Sequence, residues 1–366
     1  MNLVRVLFFG APAYWRRVLC LIVDKFSSRV TYQVVTYAIT GRIKTNRLRM
    51  NDLHLWLFGE KALRQALIRF EPDIVVTDGT VYGAQFKISS YWTRKRKPMI
   101  VQLRGDPWSE SMAHFTREKP LMKLLRVQPY AYSWSALILA RKVAPVCEWL
   151  QGVVKHHIPG KKCKVIYPPV DPDQYFEEEG LTFQKPAVAV IQNHSVYPKV
   201  AGLMKFKRVV EKLPSVNFYI AEGETADQPF LPLVKQHYSD LHNAHFVSGI
   251  RTPADVRKML TAADCYVLAT ELDCCPTTVL QASLVRRPVI VSRVGGVPET
   301  VSENITGWTV RNNVIDDWVR KINLILTNHK LNRTFGENGR KMVSERFGTK
   351  TIANQIEKLV ISELAE

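Results

Sequence analysis

The chain has 366 residues, 46% of them hydrophobic and 23% charged. That is the composition of a soluble globular protein, long enough for two domains of ordinary size. No apolar run approaches the roughly 20 residues that span a bilayer. The formal net charge of +18 is unevenly placed: residues 1–170 hold 28 Lys and Arg against 10 Asp and Glu, whereas residues 171–366 hold 23 of each. An excess confined to one half suits an anionic partner, either a nucleic acid or an acidic lipid leaflet, unless it is simply a basic soluble surface. Six scattered cysteines without metal spacing suit a reducing compartment, and the opening MNLVRVLFFG reads as a first strand rather than an export signal.

Residues 3–9 and 30–37 are strand-like apolar runs, and 61–70 (KALRQALIRF) has helical spacing before a buried strand at 74–77. A further strand is predicted at 98–103. Residues 136–146 begin helical and end in a short strand, and 164–167 (KVIY) closes the half. Strands alternating with helices predict a doubly wound parallel sheet. Residues 167–186 are rich in Pro and acidic residues, lack a clear period, and coincide with the change in charge balance, which marks a linker. The alternation restarts at 187–191, followed by a helix over about 202–212. Strands are predicted at 216–220, 245–247, 265–269 and 288–294, and the chain is mainly helical from Asp316 onward.

The most informative stretch is 262–301. Two short apolar strands there are each followed by a polar or Gly-rich turn and a helix start, the arrangement that forms ligand crevices in parallel sheets. In the first turn Pro276 precedes Thr277 and Thr278, either of which can cap a helix, and Gln281 lies about one turn in. Free amides at that terminus suit a diphosphate, and Asp273 ahead of it suits a sugar hydroxyl. A capped surface loop, with Asp273 complementing the helix dipole, is the plain alternative. Cys274 and Cys275 have no His nearby in sequence and read as small loop residues. The second turn, Gly295-Gly296-Val297-Pro298-Glu299, allows close backbone approach and a helix start.

Taken together these segments resemble the family-4 retaining glycosyltransferases of the GT-B fold. Tyr167-Pro-Pro-Val-Asp171 resembles the segment that leads into their second domain. Val247-Ser-Gly249 and LTAADCYV at 260–267 resemble the stretch before the donor loop. Asp273 and Gln281 have the spacing of the family's two glutamates, the GGVPE turn follows, and Asn304-Ile-Thr-Gly-Trp308 resembles the segment after it.

The resemblance implies two Rossmann-like domains facing each other across a cleft: an acceptor-side domain over 1–168, a linker over 169–186 and a nucleotide-sugar domain over 187–348. A last helix within 349–366 would return to the first domain. It implies transfer of a sugar from a nucleotide-sugar donor to a glycan or lipid-linked acceptor with retention. No cofactor or metal is expected, since no DxD-like motif is evident and a diphosphate leaves without an acid. Asp273 stands where the family contacts the donor sugar and Gln281 where it binds ribose. Lys199 stands where it holds the diphosphate, with Asn193 or His194 replacing the family's arginine and Arg251 a substitute for it. The donor set is completed by Cys274, Cys275, Pro276, Thr277 and Thr278. On the acceptor side the resemblance points to Gly10, Asp78, Arg104 and Asp106, with Arg104, Asp106, Lys199 and Asp273 as catalytic residues. Glu148 matches a further strand-to-helix turn.

Two basic segments, 42–49 (RIKTNRLR) and 94–97 (RKRK) beside Tyr91-Trp92, suit an anionic bilayer or are solvated charge runs. The expected setting is therefore cytoplasmic, with peripheral membrane association. Two other functions fit less of the chain: a nucleotide-sugar epimerase-like enzyme on the same fold, and a basic nucleic-acid-binding protein. No helix-turn-helix, RNP or zinc pattern supports the latter, and no specific nucleic acid is expected.

Overall fold

A computed structural model describes residues 3–11, 18–36, 61–108, 134–223 and 228–365. The chain divides into two compact units, Met1–Pro169 with Thr349–Glu366, and Val170–Gly348. The basic segment at 42–49 lies outside the described residues.

The first unit contains β1 (Val4–Gly10), β2 (Val30–Thr36), α1 (Lys61–Arg69), β3 (Ile74–Asp78), α2 (Gly79–Thr93), β4 (Met99–Leu103), β5 (Lys142–Pro145) and α3 (Glu148–His157). Residues 134–139 form a short helical stretch before β5. The strands pair in parallel in the order β2-β1-β3-β4-β5. Strands β3 and β4 are buried along their whole length, which is why they read as continuous apolar runs rather than alternating ones.

The second unit contains β6 (Ala187–Val190), α4 (Tyr197–Glu211), β7 (Asn217–Ala221), α5 (Leu231–His237), β8 (Ala244–Val247), α6 (Pro253–Ala262) and β9 (Cys265–Leu268). After these come α7 (Thr277–Leu284), β10 (Val289–Ser292), β11 (Gly307–Val310), α8 (Ile315–Thr327) and α9 (His329–Phe347). Its six parallel strands run β11-β10-β9-β6-β7-β8. Its core joins Val188, Val190 and Val267 of the sheet to Phe206 and Val209 of α4 and Trp318 of α8. The double winding expected from the sequence is therefore present in both units.

The last helix, α10 (Thr349–Ala365), is part of the first unit. Ile352, Ala353, Ile356 and Val360 join Val6, Phe8, Ile22 and Ile74 in one buried cluster. Glu357 accepts the Ser27 amide and hydroxyl at 3.0 and 2.5 Å. The Glu363 carboxylate is fully buried between Arg141 and Lys142.

Some elements differ from the sequence reading. Residues 164–167 form no named strand. Lys164 and Ile166 donate backbone bonds to Val143 and Pro145, so the segment follows β5 without building a ladder. Helix α4 starts at Tyr197 rather than near 202, because Pro198 falls in its first turn, where a missing N–H is harmless. Strand β11 is only four residues long and escaped notice. The GGVPE turn opens a 3₁₀ turn, Val297–Thr300, and not an α-helix.

Candidate donor and acceptor sites

In a doubly wound sheet the ligand crevice opens where strand order reverses, beyond the carboxyl ends of the strands. In the second unit that point lies between β6 and β9, which are neighbours in space but far apart in sequence. The chain leaving β6 reaches Lys199 in the first turn of α4, and the chain leaving β9 reaches Asp273. Lys199 Nζ lies 2.7 Å from Asp273 Oδ2, both side chains being mostly buried. The other oxygen, Asp273 Oδ1, accepts the Cys274 amide at 2.9 Å.

The loop carrying Asp273 is held from several sides. Gly296 N–H donates to the Asp273 carbonyl at 3.1 Å. Gly295 adopts φ +53°, and a Cβ there would stand 2.3 Å from that same carbonyl oxygen, so only glycine fits. Glu271 N–H donates to Pro198 O, joining the loop to the start of α4. Gly202 of α4 packs directly on the Thr270 backbone, with a built Cβ 2.4 Å from Thr270 Cα. Asn312, beyond β11, donates to Thr270 O at 2.7 Å and to Glu271 Oε1 at 3.0 Å, and Ser292 Oγ lies 2.5 Å from Asn312 Oδ1. Sequence reasoning missed Asn312, Ser292 and Thr270. Their only signal was position at or just past the end of a strand.

Helix α7 begins at Thr277 with Pro276 as N-cap and no side-chain cap. The expectation that Thr277 or Thr278 caps it is thus corrected. Thr278 Oγ1 instead lies 2.8 Å from the Tyr266 hydroxyl, which donates to Ile191 O and so ties α7 to the end of β6. An uncapped N-terminus leaves main-chain donors for an anion. Gln281 is half-buried one turn further on.

In the first unit the strand order reverses between β1 and β3, where Gly10 and Asp78 end their strands. The buried Asp78 carboxylate accepts the Ala11 amide, and Arg104 Nη2 lies 2.6 Å from its Oδ2. Burial nevertheless raises the Asp78 pKa, outweighing the guanidinium and the amide. Gly10, Asp78 and Arg104 thus meet at one strand end.

Residues 197–342 match the family model described as "Glycosyl transferases group 1". The matched stretch lies within the second unit. Over 217 residues it is 24% identical to the Bacillus anthracis N-acetyl-alpha-D-glucosaminyl L-malate synthase, covering 57% of this chain and 56% of that protein. Over 136 residues it is 26% identical to one component of the Homo sapiens phosphatidylinositol N-acetylglucosaminyltransferase, covering 37% of this chain and 26% of that one. The chain therefore spans about half, or less, of the length of these curated relatives. Among solved structures it is similar to a sucrose-phosphate synthase from Thermosynechococcus elongatus, with a TM-score of 0.75, 14% identity and 99% of each chain covered. It is also similar to Anabaena HepE in complex with UDP-glucose, with a TM-score of 0.71, 17% identity, and 98% and 99% covered. At such identities the likeness is one of fold.

Against the family's donor pattern, Asp273 and Lys199 meet, but the remaining positions do not all serve as the resemblance implied. His194 is fully buried, its Nε2 2.8 Å from Ala221 O and its backbone N–H on Gln228 Oε1. Burial lowers its pKa, so the ring is neutral and brings no charge to a phosphate. Asn193 is exposed and its Oδ1 caps the Ser195 amide at 2.6 Å. Arg251 is exposed on the turn before α6, where its amide donates to Asp255 Oδ2 of the Thr252–Asp255 capping box at 3.2 Å. Cys274 is buried and Cys275 half-buried, and all six cysteines are free thiols. Asp106 is buried, and its Oδ1 accepts the Trp108 amide at 3.0 Å. Glu148 sits in the first turn of α3. Among the described residues no group of three or more His, Cys, Asp or Glu is arranged to hold a metal ion, and no helix is long and apolar enough to cross a membrane.

Proposed function

We propose that the protein transfers a sugar from a nucleoside-diphosphate donor to a glycan or lipid-linked acceptor, with retention and without a metal ion. The single observation that carries this reading is the Lys199–Asp273 pair at the strand-order reversal of a family-matched unit. In the free protein the ammonium is neutralised by Asp273. When a donor enters, its diphosphate competes for Lys199 and for the uncapped amides of α7, and Asp273 is released toward the sugar hydroxyls. Charge growing on the departing diphosphate is then met by groups already in place, which is where electrostatic catalysis is strongest. Gln281, one turn into α7, suits the ribose hydroxyls as an uncharged hydrogen-bonding group. Gly10, Asp78 and Arg104 are assigned to the acceptor. Work at the cytoplasmic face of an anionic membrane accounts for the charge of the first half.

Incubation with UDP-, GDP-, ADP- and dTDP-sugars tests the reading. Thermal stabilisation by one donor class, with free nucleotide and an α-anomer-retaining glycoside as products, is the expected result. Recovery of an epimerised nucleotide sugar alone would replace transfer by epimerisation. Steeply salt-dependent nucleic-acid binding without nucleotide-sugar affinity would replace both.

A further inference from the structure

We infer that the first unit docks on an anionic lipid leaflet through the amino-terminal end of its sheet, using side chains from three adjacent lead-ins. This deepens the membrane reading above and rests on it, and it is independent of glycosyl transfer.

Strands β3, β4 and β5 are consecutive neighbours in a parallel sheet, so the segments that precede them emerge side by side at one edge. Helices α1 and α2 pack on each other, and Gly83 of α2 lies against Ala136, so α1, α2 and the 134–139 stretch share one face. The last turns of all three end in large exposed apolar side chains. Ile68 is 55% exposed, Tyr91 73%, Trp92 51%, Ile138 57% and Leu139 55%. Large exposed apolar side chains gathered on adjacent lead-ins are the kind of surface that marks a membrane or partner contact.

Cations accompany them. Arg94 ends α2 in a left-handed conformation, and Arg96 and Lys97 follow before β4. Lys95 is held differently, its Nζ 2.5 Å from Glu71 Oε1 at the end of α1. Lys161 bonds the Ile138 and Ala140 carbonyls beside Leu139. Tyr and Trp with Arg and Lys, accompanied by aliphatic side chains, is the composition that enters a headgroup layer: rings and aliphatics seat in the interface, and cations meet lipid phosphates. An anionic polymer would take the cations but leave Ile68, Ile138 and Leu139 in water. The charge excess of residues 1–170 supplies the long-range attraction.

The test is co-sedimentation of the full chain with phosphatidylcholine vesicles, with and without about one-third phosphatidylglycerol. Binding is expected only with the anionic lipid. Neutralising Arg94, Arg96 and Lys97 to Gln is expected to lower the partition coefficient on the order of 100-fold, at roughly fivefold per charge. Tyr91→Ser with Trp92→Ser, and separately Ile138→Ser with Leu139→Ser, are expected to lower it at least tenfold. These positions are exposed, so unchanged circular dichroism and melting are expected to confirm folding. If the patch variants bind like the parent while neutralising 42–49 releases the protein, the docking face is misplaced and the membrane reading stands. If the parent binds no vesicle, that reading fails. If binding ignores the four apolar substitutions and is displaced equally by a soluble polyanion, the surface serves an anionic polymer and the proposal is overturned.

Discussion

Lys199 and Asp273, 74 positions apart in the chain, form an ion pair of 2.7 Å at the point where the second sheet changes strand order. The pair makes the two partners separable by experiment. Lys199→Ala removes the cation assigned above to the diphosphate and is expected to weaken nucleoside-diphosphate binding about 10- to 100-fold, the range for losing a charged hydrogen bond. Asp273→Asn leaves Lys199 without its internal anion. That variant is expected to bind the free diphosphate as tightly as the parent or tighter while losing transfer activity. Calorimetric titration of both variants checks the contrast; equal weakening in the two would mean the pair is only structural.

Gly295 is expected to be intolerant of a side chain. Its φ of +53° disfavours any Cβ, and the space is already occupied by the Asp273 carbonyl 2.3 Å away. Gly295→Ala combines left-handed strain of about 1–2 kcal/mol with displacement of the donor loop, for a total of about 3 kcal/mol or more. Gly249 also has positive φ, +79°, but nothing lies within 4 Å of its Cβ position. Gly249→Ala is therefore expected to show the strain alone. Urea midpoints of the two variants separate conformational strain from collision.

Much of the fold was legible because buried parallel strands are short apolar runs set between turn residues. Residues 74–77, 265–269 and 288–294 show this in the sequence and form β3, β9 and β10 with boundaries differing by one or two residues. Strand β11 was not legible: four residues, Gly-Trp-Thr-Val, carry no period of their own and are strand only because β10 pairs with them. Helix α2 was hidden by its Gly, Ser and Thr content, which tertiary burial overrides. At the site, Asp273 and Gln281 stood out in the turn and helix start after the 265–269 run, and Lys199 only through the resemblance. The burial of His194 was not legible, because its partner Ala221 lies 27 positions away on another strand. The close approach of Gly295 to Asp273 likewise depends on two loops that meet only after the sheet is built.

His194 gives the second unit a defined pH response. Its folded-state pKa is lowered, chiefly by burial, from the ordinary value near 6.5. Below that value the unfolded chain binds a proton that the folded ring does not, so stability falls on acidification and is fully present above it. His194→Gln keeps a donor for Ala221 O but does not titrate. The loss of stability between about pH 8 and about pH 5 is expected to be smaller in that variant, as read from urea midpoints at both values. An unchanged pH dependence would show that His194 is not the titrating group.

Glu363 fixes α10 to the first unit. Its carboxylate is fully buried against Lys142 and Arg141, and removing it leaves the mostly buried Lys142 ammonium and the partly exposed Arg141 guanidinium without their anion. Glu363→Ala is expected to lower stability by about 1–3 kcal/mol. Hydrogen exchange is expected to show the loss concentrated in Thr349–Ala365 and β5 rather than in the second unit.

The most direct test is a crystal structure with the intact donor bound. The account predicts that the diphosphate takes the place of the Asp273 carboxylate at Lys199 Nζ, receives main-chain N–H groups from the start of α7, and leaves the sugar beside Asp273. Donor density elsewhere, with the Lys199–Asp273 ion pair still closed, would contradict it.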